Sequence, residues 1–222
     1  MMAHPVVIVG AGPVGLAAAA ELVERDVEVL VFERGASVGA HVTEWGHVRL
    51  FSPWSELVAP AARRLLEAGG WIGPAGAGYP TGSEWVRDYL APLAQALGER
   101  VHTGAEVVGV ARRGRDRVVD DGRDTEPLAV HVRYADGRAA RILARGLIDA
   151  SGTWGAPNPL GGDGLPALGE AAAVVAGRLG YRGRDLSVPA ERERLAGRHI
   201  VVAGSGHSAL TALVSLTGLA AE

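Results

Sequence analysis

The 222-residue chain contains no cysteine. That absence excludes disulfides, thiolate metal sites and any Cys-x-x-Cys redox pair. Charge of one sign is also missing: 22 basic against 25 acidic residues leave a net −3. Such a balance offers no electrostatic reason for a nucleic-acid or anionic-membrane partner. No apolar run reaches the roughly 18 residues that a membrane span needs, and the first strand starts too close to Met1 for a signal peptide to precede it. The expected location is the cytoplasm. What the chain does have is 48% hydrophobic residues, enough for a buried core, and 32 glycines, about twice ordinary usage. Its length fits one large domain or two small ones.

The glycines are not scattered. Val6-Val-Ile-Val reads as a buried strand, and Gly10, Gly12 and Gly15 follow in the G-x-G-x-x-G spacing before a helix over Leu16–Glu24. The first glycine allows a tight turn, the second a close approach of a pyrophosphate, the third close packing of helix on strand. Pro13 suits a helix entry, where a missing N–H costs little. The helix start aims unpaired N–H groups and a positive dipole end at the phosphates. A second strand, Val27–Phe32, ends at Glu33, 23 residues past Gly10, where a ribose-binding acid is expected.

The stretch from His41 to Trp54 mixes aromatics, histidines and Arg49 without periodicity. Two readings stand: a loop wrapping a cofactor, with Arg49 facing a phosphate and Trp45 or Trp54 stacking on a flat ring, or a satellite core under a long loop. His41 and His47 have no third ligand spaced with them, so no metal site is expected. Leu57–Ala68 reads as an amphipathic helix, and a second helix opens with Ser83 as N-cap and stops at Gly98. Trp71 and Trp85 are assigned to packing. Val101–Val110 has strand character. The Arg- and Asp-dense run 111–126 reads as a solvated loop. Leu128–Tyr134 and Ala139–Ala144, joined by an Asp136-Gly137 turn, complete with Val107–Val110 a three-stranded antiparallel meander inserted into a parallel fold. Gly146–Asp149 is a further strand, running into a small-residue turn, Ala150-Ser-Gly152. The run Trp154–Gly169, punctuated by Pro and Gly, reads as a crossover linker.

The opening pattern then returns. His199–Ala203 reads as a strand, and Gly204, Gly206 and Ala209 repeat the fingerprint before a helix from Leu210. Ser208 nearly matches a G-x-S-x-G nucleophile elbow, but Leu210 replaces the second glycine, and the 14 residues after the serine leave no room for the acid and histidine of that fold.

Two fingerprints, the meander and the Asp149-Ala-Ser-Gly-Thr-Trp154 turn together resemble the two-dinucleotide-binding-domain flavoproteins. Within them, Trp45-Gly-His-Val-Arg-Leu-Phe-Ser-Pro-Trp54 and Gly204-Ser-Gly-His-Ser-Ala209 are most similar to the flavin-containing monooxygenase-like branch. The resemblance implies an α/β fold: a Rossmann-like FAD-binding domain over 1–160, a crossover over 161–195, and the start of a second, NAD(P)-binding Rossmann unit over 196–222. It implies that Gly10, Gly12, Pro13, Val14 and Gly15 hold the FAD pyrophosphate and Glu33 the adenosine ribose. Arg34 and Arg49 would lie near the adenosine and phosphates, Val107 would meet adenine through its backbone, and Ala150, Ser151 and Gly152 would line the groove. Gly204, Ser205, Gly206, Ser208 and Ala209 would approach the NAD(P)H pyrophosphate. The implied chemistry is hydride transfer from NAD(P)H to FAD and onward to dioxygen or a small-molecule substrate. The cofactor carries the reactivity and no catalytic side chain is nominated.

Three departures accompany the likeness. The disulfide-reductase branch needs a Cys pair that is absent. The F-x-G-x-x-x-H signature is not legible between Leu179 and Arg198. The residue separating NAD from NADP should come about 20 positions after Gly204, beyond Glu222, so the NAD(P)H half is expected to be incomplete. A non-catalytic FAD-binding remnant and a single-site NAD-dependent dehydrogenase are the rival readings.

Overall fold

The computed structural model describes residues 4–220. Its first strand, β1 (Val6–Val9), is followed by α1 (Pro13–Glu24), β2 (Val29–Phe32), α2 (Ala40–Glu44), α3 (Trp54–Leu57) and α4 (Pro60–Ala68). Then come α5 (Gly82–Trp85), a wide helical turn over Val86–Leu90, α6 (Ala91–Leu97), β3 (Val101–His102), β4 (Ala105–Arg112), β5 (Leu128–Tyr134), β6 (Ala139–Ala144) and β7 (Gly146–Asp149). A compact unit ends at Gly152 and a second begins at Thr153.

Four strands pair in parallel in the order β3-β2-β1-β7. Side chains alternate across the sheet, and both faces are covered. Ile8, Val29 and Val31 face a helical layer, packing with Leu16 and Ala19 of α1, Ala62 and Leu66 of α4, and Leu93 of α6. Val7 and Phe32 face the other way, onto Ala105, Val130, Val132 and Ala144 of the antiparallel sheet β4-β5-β6. Continuous apolar runs are what a strand buried on both faces requires. The expected α/β fold of parallel sheet, helices and three-stranded meander is therefore present.

Local details differ from the sequence reading, each for a physical reason. The helix read over Leu57–Ala68 is split, because Pro60 disfavours helical geometry at Ala59 (ψ 140°) and instead starts α4. The strand read over Val101–Val110 is broken at Gly104 (φ +60°), so β3 joins the parallel sheet and β4 the meander. Thr81, not Ser83, caps α5. Its hydroxyl accepts from the Glu84 N–H at 3.2 Å, and the Glu84 carboxylate accepts from the Thr81 N–H at 2.7 Å. The Thr81 N–H foremost, with the Thr81 side chain as a lesser cause, holds the Glu84 carboxyl below its ordinary range. Thr81→Ala removes the cap and should destabilise the first unit by about 1 kcal/mol in chemical denaturation.

The second unit contains α7 (Glu170–Val175), α8 (Pro189–Leu195) and α9 (His207–Ala220), and no strand among its described residues. The strand expected over His199–Ala203 does not form. A strand gains its hydrogen bonds only from a neighbour, this unit supplies none, and Val201 is 79% exposed. The helix begins at His207, earlier than the expected Leu210, so Ser208 and Ala209 lie in its first turn.

Candidate dinucleotide site

β1 delivers the chain into the first glycine-rich turn, where the Gly10 N–H donates to the Phe32 carbonyl at 2.7 Å. Gly10 has φ +97°, and a Cβ there would sit 2.6 Å from the Ala150 carbonyl oxygen. A Cβ at Gly15 would sit 2.0 Å from the Gly10 carbonyl oxygen. Both positions are glycine because backbone approaches backbone. Gly12 is different: its φ is −83°, and a Cβ would meet nothing within 4 Å. Packing does not demand this glycine, and what it leaves is open space at the start of α1. No side chain caps that helix, and Pro13 occupies its first turn. The N–H groups of the first turn have no intrahelical partner and carry the positive end of the helix dipole, which suits an anion. Val14 beside them is exposed.

Glu33, directly after β2, is fastened to this turn. Its Oε2 accepts from the Ala11 N–H at 2.8 Å and its Oε1 from the Gly35 N–H at 2.7 Å. The Gly39 N–H in turn donates to the Ala11 carbonyl at 3.0 Å, closing the loop onto the turn. Each carboxylate oxygen keeps acceptor capacity for a ribose hydroxyl. On the other side, the Ala150 N–H continues the β7 pairing to the Val9 carbonyl at 2.9 Å. Asp149 Oδ1 accepts from the Ser151 hydroxyl at 2.6 Å and the Ser151 N–H at 3.0 Å, and the hydroxyl first of all holds the Asp149 carboxyl below the usual range. Gly152 follows with φ +68°. Gly10, Gly12, Pro13, Val14, Gly15, Glu33, Ala150 and Ser151 thus gather at the carboxyl ends of β2, β1 and β7, the edge where open parallel sheets bind ligands.

Other sequence-derived candidates have different surroundings. Arg34 is exposed just after Glu33. The Arg49 guanidinium donates to the Tyr79 carbonyl and lies 4.0 Å from the Glu84 carboxylate, so its partners belong to the 79–84 segment. Val107 stands in β4 beside a bulge that leaves Val108 unpaired, and packs onto the meander-side cluster. Trp54, 6% exposed, belongs to the helical core, and Trp45 packs against it. Of the two readings of this stretch, the packing one holds for Trp54, which joins the main helical core rather than a separate satellite core and is not free to stack on a ligand. Among the described residues, no group of three or more His, Asp or Glu converges as metal ligands, and no helix is long and apolar enough to cross a membrane.

The second turn copies part of the first. Gly204 has φ +120°, a Cβ at Gly206 would meet nothing within 4 Å, and Ser205 and Ser208 are exposed. Gly204 and Ala209 are spaced more loosely, since a Cβ on Gly204 would meet that of Ala209 only at 3.9 Å. Sequence reasoning missed the backbone partners of Glu33 at Ala11 and Gly35. It also missed the Asp149 turn, although Asp-x-Ser is a spacing that invites a side chain to bond two residues on.

Comparison with known proteins agrees with this geometry. Residues 8–58 match the family described as NAD(P)-binding Rossmann-like domain. Thiamine thiazole synthase of Methanothrix thermoacetophila is 29% identical over 204 residues, covering 80% of this chain and 73% of that protein. Electron transfer flavoprotein-ubiquinone oxidoreductase of Pseudomonas aeruginosa is 43% identical over 72 residues, covering 27% of this chain but 13% of that protein. The fold matches bacillithiol disulfide reductase Bdr from Bacillus cereus with a TM-score of 0.55 at 23% identity, over 71% of this chain and 42% of the reductase. The chain therefore spans less than half the length of that reductase. Its first unit has a Rossmann-like fold, which it shares with that reductase.

Proposed function

We propose that the first unit binds FAD and that the chain serves an FAD-dependent, NAD(P)H-using oxidoreductase of the monooxygenase-like kind acting on a small molecule in the cytoplasm. The observation that carries this reading is the open space at Gly12 in front of an uncapped helix, with Glu33 anchored beside it. The amides of Gly12, Val14 and Gly15 take the pyrophosphate, and Glu33 accepts from the adenosine ribose. Arg34 and Arg49 add positive charge, the Val107 backbone meets adenine, and Ala150, Ser151 and Gly152 wall the groove. The inserted meander favours FAD over NAD in this place, by likeness to the two-dinucleotide flavoproteins. Gly204, Ser205, Gly206, Ser208 and Ala209 receive the NAD(P)H pyrophosphate. In this assignment residues 1–160 are the FAD portion, 161–195 the crossover and 196–222 the opening of the nicotinamide-nucleotide portion. When bound, FAD supplies the hydride and electron chemistry. The protein's share is binding, orientation and exclusion of water. A thiol-pair reaction is closed to a chain without cysteine.

A second reading, an FAD-binding remnant without turnover, is favoured by the missing strand at His199–Ala203. Mass spectrometry of nucleotide released from the purified protein tests the first step. FAD at one per chain is expected, and NAD alone would instead indicate a single-site dehydrogenase. NADH and NADPH oxidation with added FAD then separates enzyme from remnant.

A further inference from the structure

The first unit rests on two apolar clusters. The second unit buries a single residue among those described, and that residue is a carboxylate, Glu170, 4% exposed. Around it Leu165, Leu168 and Val175 are all exposed, so no apolar core holds this unit together. A buried charge is costly unless its oxygens are bonded, and those of Glu170 are. Both accept from the Leu160 N–H at 3.1 Å, Oε2 also accepts from the Ala167 N–H at 2.6 Å, and Oε1 from the Tyr181 hydroxyl at 2.5 Å. The donors come from ten residues before and eleven after the carboxylate. Drawing such distant groups together costs chain entropy, and one shared acceptor offsets it.

We propose that Glu170 is a latch. Its carboxylate closes the segment from Leu160 to Tyr181 into one ordered strap, whose order is lost when the latch opens while the first unit stays folded. The run between the two glycine-rich turns is then a conditionally ordered element rather than a passive tether. The Tyr181 hydroxyl, with the Ala167 and Leu160 amides behind it, outweighs burial and holds the carboxyl below its ordinary range, so the latch is charged at neutral pH.

Arg178 lies inside the strap on an exposed stretch and reports on its order through trypsin. Cleavage of a folded chain tracks the population of the open form. In the full chain, Glu170→Gln should speed cleavage after Arg178 about tenfold or more, since the new amide presents donors to donors. Tyr181→Phe, which removes one donor and keeps the rest, should speed it about threefold. The melting temperature of the first unit should not move in either variant. Equal cleavage rates in Glu170→Gln and the parent protein would overturn the latch. So would a parent protein already cut at the rate of the urea-unfolded chain, or a first unit that melts together with the strap.

Discussion

Gly12→Val should leave the stability of the first unit within about 1 kcal/mol of the parent while weakening FAD binding by about 100-fold or more. The backbone at Gly12 is extended (φ −83°, ψ −174°), a geometry that valine adopts freely, and an added Cβ meets no protein atom within 4 Å. The only cost to the fold is a poorer helix N-cap. The side chain does occupy the space in front of the α1 amides. Charge-assisted hydrogen bonds to a phosphate contribute about 1.5–3 kcal/mol each, so displacing two of them accounts for the expected loss. Thermal melting of the apoprotein and a flavin fluorescence titration, run on the same sample, check both halves.

Gly15→Ala should do the reverse, destabilising the first unit by roughly 3 kcal/mol. A Cβ 2.0 Å from the Gly10 carbonyl oxygen cannot be accommodated by rotating a side chain, because the obstacle is backbone. The helix must retreat from β1, against a contact in which Leu16 and Ala19 are fully buried. Overpacking of this kind costs about 1–3 kcal/mol and sometimes more. For a unit of this size that is a fall in melting temperature of roughly 6–12 °C. Gly10 is pressed in turn against Ala150, so the displacement would reach β7. The two substitutions lie three residues apart in one motif, and opposite phenotypes are expected because one glycine makes room for a ligand and the other for the protein itself.

Much of the first unit was legible because its rules are local or periodic. Val6–Val9 and Val29–Phe32 are apolar runs bounded by turns, and the meander alternates around an Asp-Gly turn. The acid at Glu33 could be placed by counting from Gly10. The features that escaped are those set by distant partners. The run His199–Ala203 has the composition of a strand, but strand pairing belongs to two segments, and the second unit holds no other among its described residues. Trp45 and Trp54 sit in a stretch without periodicity, so residue type alone left their burial open. Thr81-x-x-Glu84 has the spacing of a capping box, but Ser83 offers a rival cap two residues on, and residue type alone does not choose between them. Glu170 comes directly after the Trp154–Gly169 run whose prolines and glycines read as linker, and bonds reaching ten residues back and eleven forward leave no periodic trace.

The most direct test of the central assignment is an amide-resolved NMR titration of the 15N-labelled protein with ADP, whose diphosphate is common to FAD and NAD. The largest shifts are expected at Gly12, Val14 and Gly15, with smaller ones at Gly35 beside the Glu33 carboxylate. Shifts confined to Gly204–Ala209, with the amides at the start of α1 unmoved, would contradict the placement of the dinucleotide over Gly12.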